Sequence, residues 1–227
     1  MQRATFALSL VCLVTSSAFA QMTSGRVRVL HASPDAPAVD VLVDGTKVIE
    51  WLPFRESTEY LSLPAGSHEI RVNVTGTTTT VLNATPNVEA GSDYTAIAVG
   101  FAGGRQPALS LMLLVDDNML PQGNQIKVRV VHAAASAPAV DVYVTTPFES
   151  LDGKQAVLSG VPFKAASGYL AVPPSLYQAR VAVARTKTIA IDSHRLVTWA
   201  GIIRTVVAVD NKGGGAPCDF VILPDRN

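Results

Sequence analysis

Four side chains able to do acid–base or metal chemistry crowd one stretch near the start of the chain. His31, Asp35, Asp40 and Asp44 lie within RVRVLHASPDAPAVDVLVDG, residues 26–45. An imidazole among carboxylates is the material of a general base or of a metal centre. The same stretch lies between valine-rich runs, so it also reads as a bend in a β-sandwich. The chain supplies its own comparison. KVRVVHAAASAPAVDVYV, residues 127–144, repeats the first stretch at an offset of 101. His132 answers His31, Asp141 answers Asp40, Arg129 answers Arg28 and Pro138 answers Pro37. Ser136 stands at the place of Asp35 and Thr145 at that of Asp44. The shared acid–base pairs are therefore His31 with Asp40 and His132 with Asp141.

Strand parity puts Val27, Val29 and His31 on one face, and Val128, Val130 and His132 likewise. Each histidine is expected to end a core-facing row, where its ring must find a hydrogen-bond partner. Asp40 has the opposite parity and could reach the loop backbone or His31. These four residues are read as candidate ligands or, in the leading reading, as a structural clasp for the loop. Zinc wants three or four ligands, and each copy offers two. His68 could add one, but its counterpart is Tyr177. Asp116, Asp117 and Asn118 offer oxygens without a calcium-loop pattern and read as a solvated linker. No metal site and no cofactor are expected.

Signs of nucleophilic catalysis are missing too. The chain has no G-x-S-x-G elbow, no H-E-x-x-H and no phosphate-cradling glycine loop. IDSHR, residues 191–195, reads as a turn, because triad members meet in space rather than in adjacent positions. Gly213, Gly214 and Gly215 read as a flexible hairpin tip. No catalytic residue is expected, and the chain is read as a non-enzyme.

The repeat extends further. LPFRESTEYLSLP (52–64) matches VPFKAASGYLAVP (161–173), and RVNV (71–74) matches RVAV (180–183), both at an offset of 109. AGSDYTAIAV (90–99) matches AGIIRTVVAV (200–209) at 110. The change in offset falls where Asp44-Gly45 gives way to TTPFESLDGK, and insertions collect at loop tips. Tyr60 and Tyr169 recur at matched spacing. They read as packing residues with the hydroxyl at the rim, or as an aromatic surface for a sugar or peptide. Arg71 and Arg180 are expected to be exposed strand residues.

These elements alternate at period two and are punctuated by turn signals every eight to twelve residues, with no capped helical stripe. The fold class expected is all-β: two tandem immunoglobulin-like antiparallel β-sandwich domains. The domains are placed at 21–117 and 127–227, joined by a short polar linker at 118–126, so they should touch. Residues 1–20 read as a signal peptide, with Arg3, an apolar run over 4–14 and cleavage after Ala20. Lipoprotein processing at Cys12 is the alternative. Export then leaves one cysteine, Cys218, buried, free or paired between molecules. Lysines plus arginines number 18, as do the acids, so the chain carries no basic footprint for nucleic acid. No later run is long enough for an integral membrane span.

The repeated VRVxHAxxxAPAVDVxV at 27–43 and 128–144 resembles the signature of a secreted bacterial family known as domain of unknown function 4397. LPAGSHEIRV and EAGSDYTAIAVG resemble later parts of that domain. The resemblance implies export, to the periplasm or beyond the cell, and an immunoglobulin-like sandwich in two copies. It implies no established reaction. The second copy departs from it at AAASAP and VPPSLYQARV. The function expected is a non-catalytic envelope or extracellular binding and scaffold module with a protein or glycan partner. The alternatives are a small-ligand binder for a glycan or divalent cation using the His/Asp loops, and a hydrolase using His31 with Asp35 or Asp40.

Overall fold

The computed structural model describes residues 23–225. The expected signal peptide, residues 1–20, and Cys12 lie outside the described residues. The first half contains β1 (Ser24–Ala32), β2 (Val39–Val43), β3 (Thr46–Leu52), β4 (Leu61–Pro64), β5 (Gly66–Ser67), β6 (Ile70–Val74), β7 (Thr80–Ala84), β8 (Asn87–Val88), β9 (Asp93–Val99) and β10 (Ser110–Asp116). The second half contains β11 (Ile126–His132), β12 (Val140–Thr145), β13 (Leu158–Val161), β14 (Leu170–Val172), β15 (Leu176–Val183), β16 (Ile189–Asp192), β17 (Leu196–Val197), β18 (Ile203–Val209) and β19 (Asp219–Pro224). Each half builds two large sheets that share a four-strand order, with β17 added beside β15 in the second half and β5 paired with β8 in the first. The first half has β10-β9-β1-β4 and β3-β2-β6-β7; the second has β14-β11-β18-β19 and β13-β12-β15-β16.

Local chemistry sets the turns. Asp44 and Gly45 both take positive φ, 49° and 82°, and Val43 pairs with Thr46 across them. That is the two-residue hairpin whose twist suits the flanking strands. Each half also holds one parallel pair, β1 with β9 and β11 with β18. The chain leaves β1, builds the other sheet and comes back in the same direction, so the two strands run alike.

Three layers of core follow from which side chains each strand offers. Val27 and Val29 of β1 pack inside the first sandwich, with Val88, Tyr94 and Leu111. Val140, Val142, Val181 and Ile191 fill the second. The other face of β1 carries Leu30 and Ala32. With Ile97, Val99 and Met112 they meet Val131, Ala133, Val207, Val209 and Leu223 of the second half. Both faces of β1, β9, β11 and β18 are thus buried, and the sheets β10-β9-β1-β4 and β14-β11-β18-β19 pack on each other. The remaining sheet of each half is outermost.

Two expectations about the second half need correcting. Arg180 is 7% exposed, not a surface residue. The segment inserted between β12 and β13 folds back over it, with Leu151 packed on Tyr143 and Ala182. Arg180 Nη2 donates to Thr145 Oγ1 at 2.6 Å and to the Glu149 carbonyl at 2.7 Å. The triglycine is not a free tip. Gly213 donates its N–H to the Pro34 carbonyl at 2.7 Å and accepts from Arg105 at 2.9 Å, docking the tip onto the first half. A Cβ on Gly214 would stand 2.9 Å from the Phe101 ring. The IDSHR segment forms a turn in which an Asp192 oxygen accepts the His194 N–H at 2.8 Å. Cys218 is a half-buried free thiol beside the second sandwich core, and burial pushes its pKa up.

Candidate functional site

The repeated histidines are buried, each 1% exposed. His31 Nε2 lies 3.0 Å from the Pro37 carbonyl, and His132 Nε2 lies 3.0 Å from the Pro138 carbonyl. Each ring therefore closes its own A-P-A loop. His31 Nδ1 accepts the Ser33 N–H at 3.3 Å, which leaves Nε2 as the protonated nitrogen. His132 Nδ1 is buried and has no hydrogen-bond partner among the described residues. Desolvation holds both imidazoles below their ordinary pKa, against the opposing pull of the carbonyl. Both are neutral rings at neutral pH. Phe54 and Phe163 stand edge-on to them at 6.0 and 6.4 Å between centroids.

The repeated aspartates do a different job. In β3, Glu50 and Trp51 together face Asp40, and in β13, Ser159 and Gly160 face Asp141, because the register shifts there in both halves. These are β-bulges, which leave a strand N–H without its ladder partner. Asp40 Oδ1 takes the Trp51 N–H at 2.9 Å, and Asp141 Oδ1 takes that of Gly160 at 2.7 Å. The other oxygen serves the β6–β7 or β15–β16 turn. Asp40 Oδ2 receives Gly76 N–H at 3.4 Å, and Asp141 Oδ2 receives Arg185 N–H at 2.9 Å. Lys47, 2.8 Å away, and the Trp51 N–H hold the Asp40 carboxyl well below the usual carboxylate range. Histidine and aspartate thus take separate partners in each half and close two different pieces of backbone.

Tyr60 and Tyr169 lead to the most extensive polar arrangement, which the sequence reading missed. Asp116, on β10, is fully desolvated. It accepts from Tyr60 Oη at 2.6 Å, Thr95 Oγ1 at 2.6 Å and, across the halves, Arg129 Nη2 at 2.5 Å. Asp225 accepts from Tyr169 Oη at 2.6 Å, Thr205 Oγ1 at 2.6 Å and Arg28 Nη2 at 2.5 Å. Each arginine also donates to a strand-end carbonyl of the opposite half, Arg28 to Pro224 at 2.6 Å and Arg129 to Val115 at 2.9 Å. Two buried cations and two buried anions cancel within one reciprocal lock. Cations lie over the tyrosine rings as well: Arg26 and Arg28 over Tyr60, Lys127 and Arg129 over Tyr169. Burial and the neighbouring aspartate push both phenols upward. Both rings are partly buried, with their hydroxyls committed to Asp116 and Asp225.

The reciprocity extends outward. Arg55 and Lys164, both at positive φ and both 109 positions apart in sequence, reach across to the opposite half. Arg55 Nη2 binds the Asp210 carbonyl at 2.6 Å and its Nη1 approaches Asp219 at 3.3 Å; Lys164 binds Ser110 at 3.0 Å. Ser110 and Asp219 are themselves equivalent. The Asp116–Asn118 run is accordingly no solvated linker: Asp116 is in the lock, Lys127 pairs with Asp117 at 2.5 Å, and Asn118 donates to Asp93 at 2.6 Å.

The acid lost between the copies is replaced from elsewhere. Asp35 accepts the N–H groups of Ala102 and Gly103 at 2.8 and 3.0 Å. In the second half the carboxylate sits on the opposite loop, where Asp210 accepts the Ser136 N–H at 3.2 Å. His68 is held between Asp44 Oδ2 at 2.6 Å and the Pro64 carbonyl at 2.8 Å, and the Asp44 bond raises its pKa. Among the described residues, no group of three or more histidines, cysteines or acids is placed to hold a metal ion, and no helix is long and apolar enough to cross a membrane.

Fold and bonding together define an all-β protein of two reciprocally locked sandwich halves. Residues 25–143 match the family described as domain of unknown function (DUF4397), and the chain belongs to that family. The match runs from β1 through β11 and most of β12. No curated protein matches the chain. Among solved structures, the chain is similar to a streptococcal virulence factor described as binding alpha-glucan, at 10% identity and a TM-score of 0.26, over 80% of this chain and 93% of that one. It is also similar to the CBM26 module of Eubacterium rectale Amy13K solved with maltoheptaose, at 9% identity and a TM-score of 0.25, over 90% of this chain and 98% of that one.

Proposed function

We propose that the chain is an exported, non-catalytic binding and scaffold module that acts in the cell envelope or outside the cell. In this reading it consists of two copies of the family domain, 21–117 and 127–227, joined by 118–126, with residues 1–20 removed on export. The observation that carries it is how the repeated polar residues are employed. His31, His132, Asp40 and Asp141 close backbone, and Arg28, Tyr60, Asp116, Arg129, Tyr169 and Asp225 bind one half to the other. Residues spent on mutual bonding give a rigid body, and a rigid body presents its outer sheets and edges to a partner at low entropic cost. The His/Asp loops serve as clasps here rather than as a ligand or hydrolytic site.

The test is cosedimentation of the mature protein with purified cell envelopes, after fractionation has located it and N-terminal sequencing has found Gln21 first. Retention on envelopes with no hydrolytic activity toward envelope material supports the reading. Protein that stays cytoplasmic, or that leaves envelopes unbound, overturns it.

A further inference from the structure

The two halves use the same aspartate-clamped corner, yet they seat different residues there. In the second half the bulge position is Gly160, at φ 62°, and a Cβ there would meet nothing within 4 Å. In the first half the same position is Trp51, at φ 53°. A left-handed backbone suits glycine and disfavours a bulky residue, whose Cβ crowds the following carbonyl oxygen. The indole does not recover that cost by packing, since Trp51 is 65% exposed. Two local rules are thus broken at one residue, a strained backbone and a large apolar group in water. Such coincidences mark positions held for their surface chemistry.

What surrounds the indole indicates the ligand. The Asp40 carboxylate gathers the Trp51 N–H, Thr75 Oγ1 at 3.0 Å, the Gly76 N–H and the Lys47 ammonium around itself. Lys47 in turn pairs with exposed Glu50 at 3.4 Å. The turn beyond Thr75 reads TGTTTT, with Thr77, Thr78 and Thr79 exposed. An exposed aromatic side chain therefore shares one Asp40-clamped corner with a threonine-rich turn and an ion pair, on an edge strand of an outer sheet. A protein hot spot would set the aromatic in an apolar pocket. A pyranose instead presents one apolar C–H face inside a rim of hydroxyls, and this corner offers the complement of both.

We propose that Trp51 anchors a saccharide-binding site on β3, with its indole stacked on a sugar ring and with the Lys47–Glu50 pair and the threonine turn meeting the hydroxyls. The proposal rests on the binding-module reading and supplies its ligand class. The substitution Trp51→Gly tests it, because it copies the second half and should fold. Titration uses Trp51 fluorescence in a Trp199→Phe background, with linear oligosaccharides of α-glucose, β-glucose and N-acetylglucosamine. At least one series should shift the emission, and Trp51→Gly should weaken its binding, read by calorimetry, by about tenfold or more. Relief of the strained backbone should raise the Tm of Trp51→Gly by about 2–4 °C. No response to any series, or binding unchanged in Trp51→Gly, overturns the site, and so does a fall in its Tm, which would make the indole a packing element. Envelope cosedimentation separates the two readings. Wild type and Trp51→Gly sedimenting equally removes the saccharide site and leaves the binding module standing, whereas wild type in the supernatant removes the module.

Discussion

Replacing Asp116 by asparagine should reveal how strongly the halves are coupled. The carboxylate is inaccessible to water and accepts three short hydrogen bonds, from Arg129, Tyr60 and Thr95. Asparagine keeps the volume but turns one acceptor into a donor and removes the charge. Arg129, itself 3% exposed, is then left buried without its counter-ion. Removing one partner of a buried pair costs about 3–5 kcal/mol. The individual bonds are not to be added on top, because the three share one desolvation cost. At this chain length each kcal/mol moves the Tm by about 2–4 °C, so the expected fall is on the order of 10 °C. The assay is urea and thermal unfolding of Asp116→Asn, with Asp225→Asn beside it. The lock is reciprocal, so the two losses should agree within about 1 kcal/mol, and added salt should change neither much, since buried pairs are weakly screened. Replacing Arg129 and Asp116 together by Met and Leu should recover most of the stability. The exposed Lys47–Glu50 pair is the contrast, and replacing Glu50 by alanine should leave the unfolding midpoint essentially where it is. A loss under about 1 kcal/mol for Asp116→Asn, or a large inequality between the two aspartates, would refute the reasoning.

Three further outcomes follow from the same geometry. His31 and His132 are held neutral below their ordinary pKa of 6.5, so stability is full above that value and falls as the pH drops through it. His68 acts oppositely, since its raised pKa gives stability that is present in acid and lost as the pH rises above 6.5. Thermal unfolding from pH 7.5 to 5 should therefore show a steeper acid loss in His68→Gln than in wild type. Asp141→Ala orphans the N–H groups of Gly160 and Arg185 and should cost about 1–3 kcal/mol in urea titration; Asp141→Asn, which keeps one acceptor, should cost less. Gly100→Ala should fail to yield folded protein by circular dichroism, because its Cβ would stand 2.4 Å from the Ala108 carbonyl oxygen at a φ of 97°. Gly76→Ala, with open space around it, should cost only about 1 kcal/mol.

Most of the fold could be read from the repeat and from valine alternation. Asp44-Gly45 announced its hairpin, and LSLMLLV and DFVIL closed the halves as strands. The lock could not be read from a single copy, because parity assigns Arg28 to the side away from the sandwich core and so to water. The missed signal lay on that same parity. Leu30 and Ala32 follow Arg28, as Val131 and Ala133 follow Arg129, which marks that face as dry. Asp116 and Asp225 were obscured by their settings, one in an acidic run before a linker, the other near the end of the chain. Their common offset of 109 from one another, shared with Tyr60 and Tyr169, was the clue available. The bulge role of Asp40 needed coordinates, since a register shift leaves no trace in composition. The covering of Arg180 required knowing where the inserted segment folds.

The self-matching face between the halves has a consequence for what the molecule can display. Two identical subunits joined through such a face would show the world the same outer surface twice. A covalent tether lifts that restriction, because each half can change its outside while the shared seam stays fixed. Here the seam is reciprocal to the level of single hydrogen bonds, while the outsides have parted: a tryptophan corner on one, an inserted flap on the other. The molecule is a symmetric joint carrying two unlike faces.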